Sequence, residues 1–130
     1  MAKTKLKSAD IWFSKCVRKS ANWTCKKCGK QYQEGDTGLH NSHVYSRRHR
    51  TIRWCKENGI SMCYACHNWF GGNHSGDWVI KFLGEGVIER LREKRDSGIK
   101  VSKLEEKDIA SHYRKEYNRI EPGEDFESWQ

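Results

Sequence analysis

With 130 residues, 35% of them apolar and 32% charged, the chain has room for one domain with a modest core and is too short for two. Its 25 Lys and Arg against 17 Asp and Glu give a formal net charge of +8, which points to a polyanionic partner, the alternative being a generally soluble basic surface. No run is long enough to span a bilayer, and the basic, polar start carries no secretory signal, so a cytoplasmic protein with no membrane partner is expected.

In chain order, residues 1–7 form a lysine-rich arm expected to be mobile. A helix follows, with Ser8 as its cap, Asp10 in its first turn and Arg18 and Lys19 near its end, in agreement with the helix dipole. Ile11, Trp12, Cys16 and Val17, with Phe13 on the flank, give it a buried stripe. Trp23 to Tyr32 reads as a knuckle in which a short strand, a Cys25/Cys28 turn and a return strand carry Lys26, Lys27 and Lys30 at the tip. Residues 33–38 are turn-rich. Leu39 to Ser46 is expected to be a strand and Thr51 to Trp54 its antiparallel partner, with Arg47-Arg48-His49-Arg50 between them. Asn58-Gly59 makes a turn, and Ile60 to Met62 leads into Cys63-Tyr64-Ala65-Cys66-His67. A short helix from about Cys63 ends at Gly71-Gly72.

The remainder is helical. Ser75 or Asp77 caps a segment running to Leu83, Val87 to Arg95 continues after two glycines, and Ser102-Lys103-Leu104-Glu105 is a capping box. Ile109, Tyr113, Tyr117 and Ile120 then mark one face, usable as core or as a homodimer interface. The tail to Gln130 is acidic and expected to be loosely held. The fold class is therefore α+β, divided into the arm (1–7), a metal-stapled core (8–83), a helical extension (84–121) and the tail (122–130).

Two CxxC pairs far apart suit a closed tetrahedral site, since each tight turn supplies two thiolates. Cys25, Cys28, Cys63 and Cys66 are thus expected to hold structural Zn²⁺, with Cys16 and Cys55 as free thiols. Four thiolates would also suit an iron–sulfur cluster, and six cysteines a disulfide framework; the knuckle spacing favours zinc.

The charge is uneven, with 14 Lys/Arg against 4 Asp/Glu in residues 1–60 and 11 against 9 in residues 61–120. The excess surrounds the first CxxC and the His/Arg segment. Here His43 on a strand, Asn58 in the following turn and His67 directly after a CxxC resemble the signature of the ββα-metal (HNH) nucleases. Ser8 to Ser14, Cys25-x-x-Cys28-Gly29, Ser42 to Arg47, Ile52-Arg53-Trp54 with Asn58, and the second CxxC with Gly72-Asn73 resemble the NinG/Rap recombination endonucleases of lambdoid phages. The similarity covers residues 8–120. The chain departs from that family in having Ser42-His43-Val44 for Gly-His-Phe, and His67 before Asn68 where Asn directly follows the second CxxC. Ser42 also stands where many HNH enzymes place an acidic or histidine metal ligand.

The resemblance implies a zinc-stapled HNH-like core and a metal-dependent DNA endonuclease acting on branched recombination DNA, of Holliday-junction or D-loop type, in a bacterial host's cytoplasm. His43 would be the general base and His67 a ligand of catalytic Mg²⁺ or Mn²⁺, with Asn68, His74 or Asp77 adding to that site. Asn58 would orient the loop through His43 or its backbone. Arg47, Arg48, Arg50 and Arg53, with Lys26 and Lys27, would hold phosphates, and Arg47 would stabilise the transition state. Trp54, Trp69 and Trp78 offer stacking surfaces, though core packing accounts for them as well. His40, His49 and His112 read as solvated or merely hydrogen-bonded side chains. The alternatives are a general HNH nicking enzyme and a non-catalytic zinc-binding DNA module.

Overall fold

The computed structural model describes residues 5–71 and 76–130. Among these the fold is α+β, with six α-helices and one two-stranded antiparallel sheet. In order they are α1 (Ser8–Ser20), β1 (Leu39–His43), α2 (Arg50–Arg53), β2 (Gly59–Cys63), α3 (Tyr64–Phe70), α4 (Gly76–Leu83), α5 (Glu85–Arg95) and α6 (Lys103–Arg119). No helix among the described residues is long and apolar enough to cross a membrane.

Helix α1 begins one position earlier than a Ser8 cap would place it. Lys7 occupies the cap position, and Asp10 reaches back to accept the Lys7 backbone N–H at 2.7 Å. Ala9, Phe13, Cys16 and Val17 are buried, spaced so that they share a face. Ile11, expected in that stripe, is 45% exposed. The buried face packs on Ile109 and Tyr113 of α6, with the Phe13 and Tyr113 rings 5.1 Å apart. Ser102 and Glu105 close the expected capping box of α6: the Glu105 N–H donates to Ser102 Oγ at 3.1 Å and the Ser102 N–H to Glu105 Oε1 at 3.3 Å. The first and last long helices thus form one core, completed by Trp54, Val101, Ile120 and Phe126.

The sheet differs from the expectation in both strands: the first ends at His43 rather than Ser46, and the second is another segment. Thr51 to Trp54 does not pair with β1; Arg50–Arg53 is a single helical turn. The partner is β2, in the register Leu39↔Cys63 through His43↔Gly59. Four apolar-alternating residues are too few to separate a strand from a turn of helix, and here Ile52 and Trp54 both reach buried positions from the helical turn. Strand β2 runs directly into α3, whereas α2 lies between β1 and β2. The knuckle is also tighter than two strands: Thr24↔Gln31 is a single bridge, and the Gly29 N–H closes the turn on the Cys25 carbonyl at 2.9 Å with φ +80°.

The C-terminal tail is held rather than loose. Phe126 is buried against Phe13 and Tyr113. The Glu127 N–H donates to Glu116 at 2.7 Å and the Trp129 N–H to the Tyr113 hydroxyl at 3.2 Å. The acidic composition hides the two aromatic side chains that give this segment apolar area to bury.

Candidate functional site

The four knuckle cysteines converge. Cys25 and Cys28 flank the knuckle turn, Cys63 ends β2 as the cap of α3, and Cys66 lies one turn into that helix. All four Sγ atoms lie within 4.8 Å of one another. The Cys28–Cys63 separation is 3.8 Å, which matches the ~3.8 Å edge of a tetrahedron built on Zn–S bonds of ~2.3 Å. The Lys26 N–H donates to the Ser61 carbonyl at 2.8 Å, tying the knuckle to β2. Burial works against ionising Cys25, but main-chain hydrogen bonds at Cys28, Cys63 and Lys27 prevail and lower its thiol to about 6. Burial and the neighbouring thiols push Cys66 up instead. Four crowded sulfurs of this kind are stabilised by a cation, and the set can hold a structural metal such as zinc. Cys16 and Cys55 lie apart from it as buried free thiols, Cys16 bonded to the Tyr113 carbonyl at 3.1 Å and raised by burial to about 12.

Alternate residues of β1 face opposite sides. His40 and Ser42 meet α3: Ser42 Oγ lies 2.6 Å from His67 Nδ1, and the His40 ring stacks on His67 at 5.0 Å with planes 6° apart. Asn41 and His43 lie toward α1, with the His43 ring 6.3 Å from Phe13. Burial, followed by the charge of Arg47, lowers His43 to about 4, so the imidazole is neutral at neutral pH. His67 is lowered too, by burial and then by His40. His43 Nε2 and Asn41 Oδ1 are buried without hydrogen-bond partners among the described residues, and both residues line a cleft of about 430 Å³ with His40, His67, Arg47 and Arg18. A second cleft, of about 630 Å³, is lined by His43 and His67 with Ser46, Asn68 and Phe70. His43 and His67 therefore share both openings.

Asn58 is fully buried, and its side chain fixes the segment after β1. Its Oδ1 accepts the Tyr45 N–H at 2.8 Å, its Nδ2 donates to the Tyr45 carbonyl at 3.1 Å, and its own carbonyl takes the Val44 N–H at 3.0 Å. The bonds go to Tyr45 and Val44 rather than to His43.

The arginines divide. Arg47 lines the cleft beside His43, and Arg48 is exposed. Arg50 donates to the Val101 carbonyl at 2.9 Å and pairs with Glu106. Arg53 is not a phosphate contact in this fold: it is 3% exposed and donates to both oxygens of Asp10, at 2.9 and 2.6 Å, and to the Lys5 carbonyl. Trp54 is core, its indole N–H donating to Asp10 at 2.9 Å. Trp69 and Trp78 meet edge-on at 6.0 Å, with Lys27 4.8 Å over Trp69. Lys26 and Lys27 are exposed at the knuckle tip.

Asn68 is exposed and opens on the cleft of His67, whereas Asp77 is exposed in the first turn of α4 and lines neither cleft. His74 lies outside the described residues. His112 is hydrogen-bonded to the Glu127 carbonyl at 2.8 Å, and His49 lies edge-on to Tyr45 at 6.5 Å. Sequence reading missed His40 against His67 and Asp10 at the centre of a buried network. The first was available from the two-residue period that puts His40 on the face of Ser42; the second had no local signal. Compared with protein-family models, curated proteins and solved structures, the chain matches none.

Proposed function

We propose that the chain is a metal-dependent DNA endonuclease with an HNH-like core, similar to the NinG/Rap recombination endonucleases and directed at branched DNA. The observation that carries this reading is the shared opening of two neutral-leaning imidazoles, His43 from β1 and His67 from α3, beside a four-cysteine staple. His43 is held uncharged, the state in which an imidazole accepts a proton from attacking water. Asn58 fixes the turn that follows it, and Arg47 offers a cation at the same opening for the phosphate.

A divalent cation would supply charge neutralisation at the scissile phosphate and the leaving oxygen. His67 would hold it through Nε2, because Nδ1 is engaged by Ser42. Among the described residues, the only carboxylate lining either cleft is Asp10, which is committed to Arg53 and Trp54. An imidazole with an amide neighbour, Asn68, suits Mn²⁺ better than Mg²⁺, which prefers oxygen ligands. The preference for branched substrates rests on the family resemblance and on the basic surface.

The test incubates the zinc-loaded protein with a four-way junction and a matched linear duplex, with Mn²⁺, with Mg²⁺ and with neither. Cutting of the junction in Mn²⁺ is expected, with His43→Ala abolishing it while DNA binding stays nearly intact. Binding without cutting in either metal overturns the enzyme reading in favour of a non-catalytic zinc-stapled DNA module. Equal cutting of both substrates reduces the reading to a general nicking enzyme.

A further inference from the structure

Arg53 and Arg50, expected to hold phosphates, are instead engaged within the fold, yet the chain carries a net charge of +8. A different surface gathers cations. A groove of about 440 Å³ runs between the start of α1 and the length of α6, and Lys7, Lys103, Lys107 and Arg114 line it with Trp12. Its single carboxylate among the described residues, Glu106, is paired with Arg50. Lys103, Lys107 and Arg114 are exposed, and none of them is in an ion pair among the described residues.

We infer that this α1–α6 groove is a second nucleic-acid surface that binds the sugar–phosphate backbone of a DNA arm away from the histidine clefts. Spacing supports this. Positions 103, 107 and 114 are separated by four and seven residues and share one helical face. They span ~16 Å at a rise of ~1.5 Å per residue, the axial length of about five nucleotides of one strand at ~3.4 Å each. Such a row meets successive phosphates of one strand without reading its bases. Trp12 gives the groove an apolar wall, and Lys15 lies 4.6 Å over its ring, extending the positive surface along α1. The groove also adjoins the proposed active site. Leu6 and Asp10 line the histidine cleft while Lys7, Ser8 and Ala9 line the groove, so the entry to α1 is the wall between them. A branched molecule offers two backbones that leave one point in different directions, which two adjoining surfaces can hold together.

The inference rests on the proposed function only for the choice of nucleic acid as ligand, and its test reads binding rather than cutting. Affinity of the zinc-loaded full chain for a linear duplex is measured from 50 to 200 mM salt without added Mn²⁺ or Mg²⁺. Lys103→Ala/Lys107→Ala/Arg114→Ala is compared with Lys81→Ala/Arg90→Ala/Lys100→Ala, which removes the same charge from exposed positions outside the groove. Each lost phosphate contact lowers the slope of log K against log salt by ~0.9. The groove variant is therefore expected to show a slope shallower by about 2.7, losing about forty-fold less affinity over that range than wild type, with the control unchanged. An unchanged slope in the groove variant overturns the inference, and so does an equal change in both variants, which would mark a bulk charge effect. A groove effect in a protein that cuts nothing keeps this surface and removes the endonuclease reading instead.

Discussion

Ser42 Oγ lies 2.6 Å from His67 Nδ1, joining β1 to α3 through two side chains. On the proposed function, the position without an acidic metal ligand is occupied by a group that would orient the His67 ring. In the tautomer whose Nδ1–H donates to the hydroxyl, the His67 Nε2 lone pair would be free for a cation. Ser42→Ala removes that restraint and leaves a half-buried ring nitrogen unpaired. The expected outcome is a 10–100-fold weaker activation by Mn²⁺, read from the metal dependence of cutting, with zinc content unchanged. Unaltered Mn²⁺ dependence would show that Ser42 has no part in holding the ring.

The four-cysteine site predicts a stoichiometry. One zinc per chain is expected by atomic absorption, with two of six thiols, Cys16 and Cys55, remaining unreactive after chelation because burial raises both. Structural zinc contributes roughly 10–16 kcal/mol in zinc-finger peptides, and the elements it would join here are the knuckle and the β2–α3 junction. Chelation is thus expected to melt the knuckle and α3 and to release four labelled thiols, and Cys25→Ala to prevent zinc uptake. Labelling of all six thiols at one rate on chelation would mean that the α1–α6 core unfolds with the metal site.

How much of this was legible beforehand varies with the range of the interaction. The CxxC pairs were readable because zinc chemistry fixes spacing locally, and the expected quartet of Cys25, Cys28, Cys63 and Cys66 is the one the fold brings together. The α+β class and the capping box of α6 followed from equally local signals. Strand β2 was misplaced because Thr51 to Trp54 and Gly59 to Cys63 are both short and apolar, and only the pairing with Leu39 to His43 separates them. Arg53 was misread for the same reason: its partner Asp10 lies 43 residues away. The basic face of α6 was masked by Glu105, Glu106 and Asp108, which local charge counting sets against Lys103 and Lys107.

Asp10 now carries a prediction that its sequence context did not offer. Its carboxylate accepts from the Lys7 N–H, the Arg53 guanidinium and the Trp54 indole, and both charged side chains are 3% exposed. Removing one partner of a buried pair costs ~3–5 kcal/mol, because the other charge stays buried. Asp10→Ala is expected to destabilise the fold by that amount in denaturant titration, and Arg53→Ala comparably. Replacing both, as Asp10→Leu/Arg53→Met, is expected to cost less than the sum of the single changes. Arg53→Ala should also leave the salt dependence of DNA binding unchanged; a shallower slope would return Arg53 to the phosphate-binding set.

Glu116 links α6 to the C-terminal tail, and its titration sets an acid limit on that link. Two hydrogen bonds from Arg119, both 2.7 Å, and one from the Glu127 N–H, also 2.7 Å, hold its carboxyl down to about 2 from an ordinary 4.5. A depressed carboxyl stabilises the fold fully above its unfolded value, and the contribution fades as pH falls from about 4.5 through about 2. Glu116→Gln keeps the shape but not the charge. Wild type is therefore expected to melt higher than the variant at pH 7, with the gap narrowing below pH 4.5 and closing near pH 2. Because the tail carries Phe126 into the core, its release should be visible as earlier exposure of Trp129 in fluorescence. A gap that stays constant from pH 7 to pH 2 would mean that the Arg119–Glu116 pair contributes nothing to holding the tail.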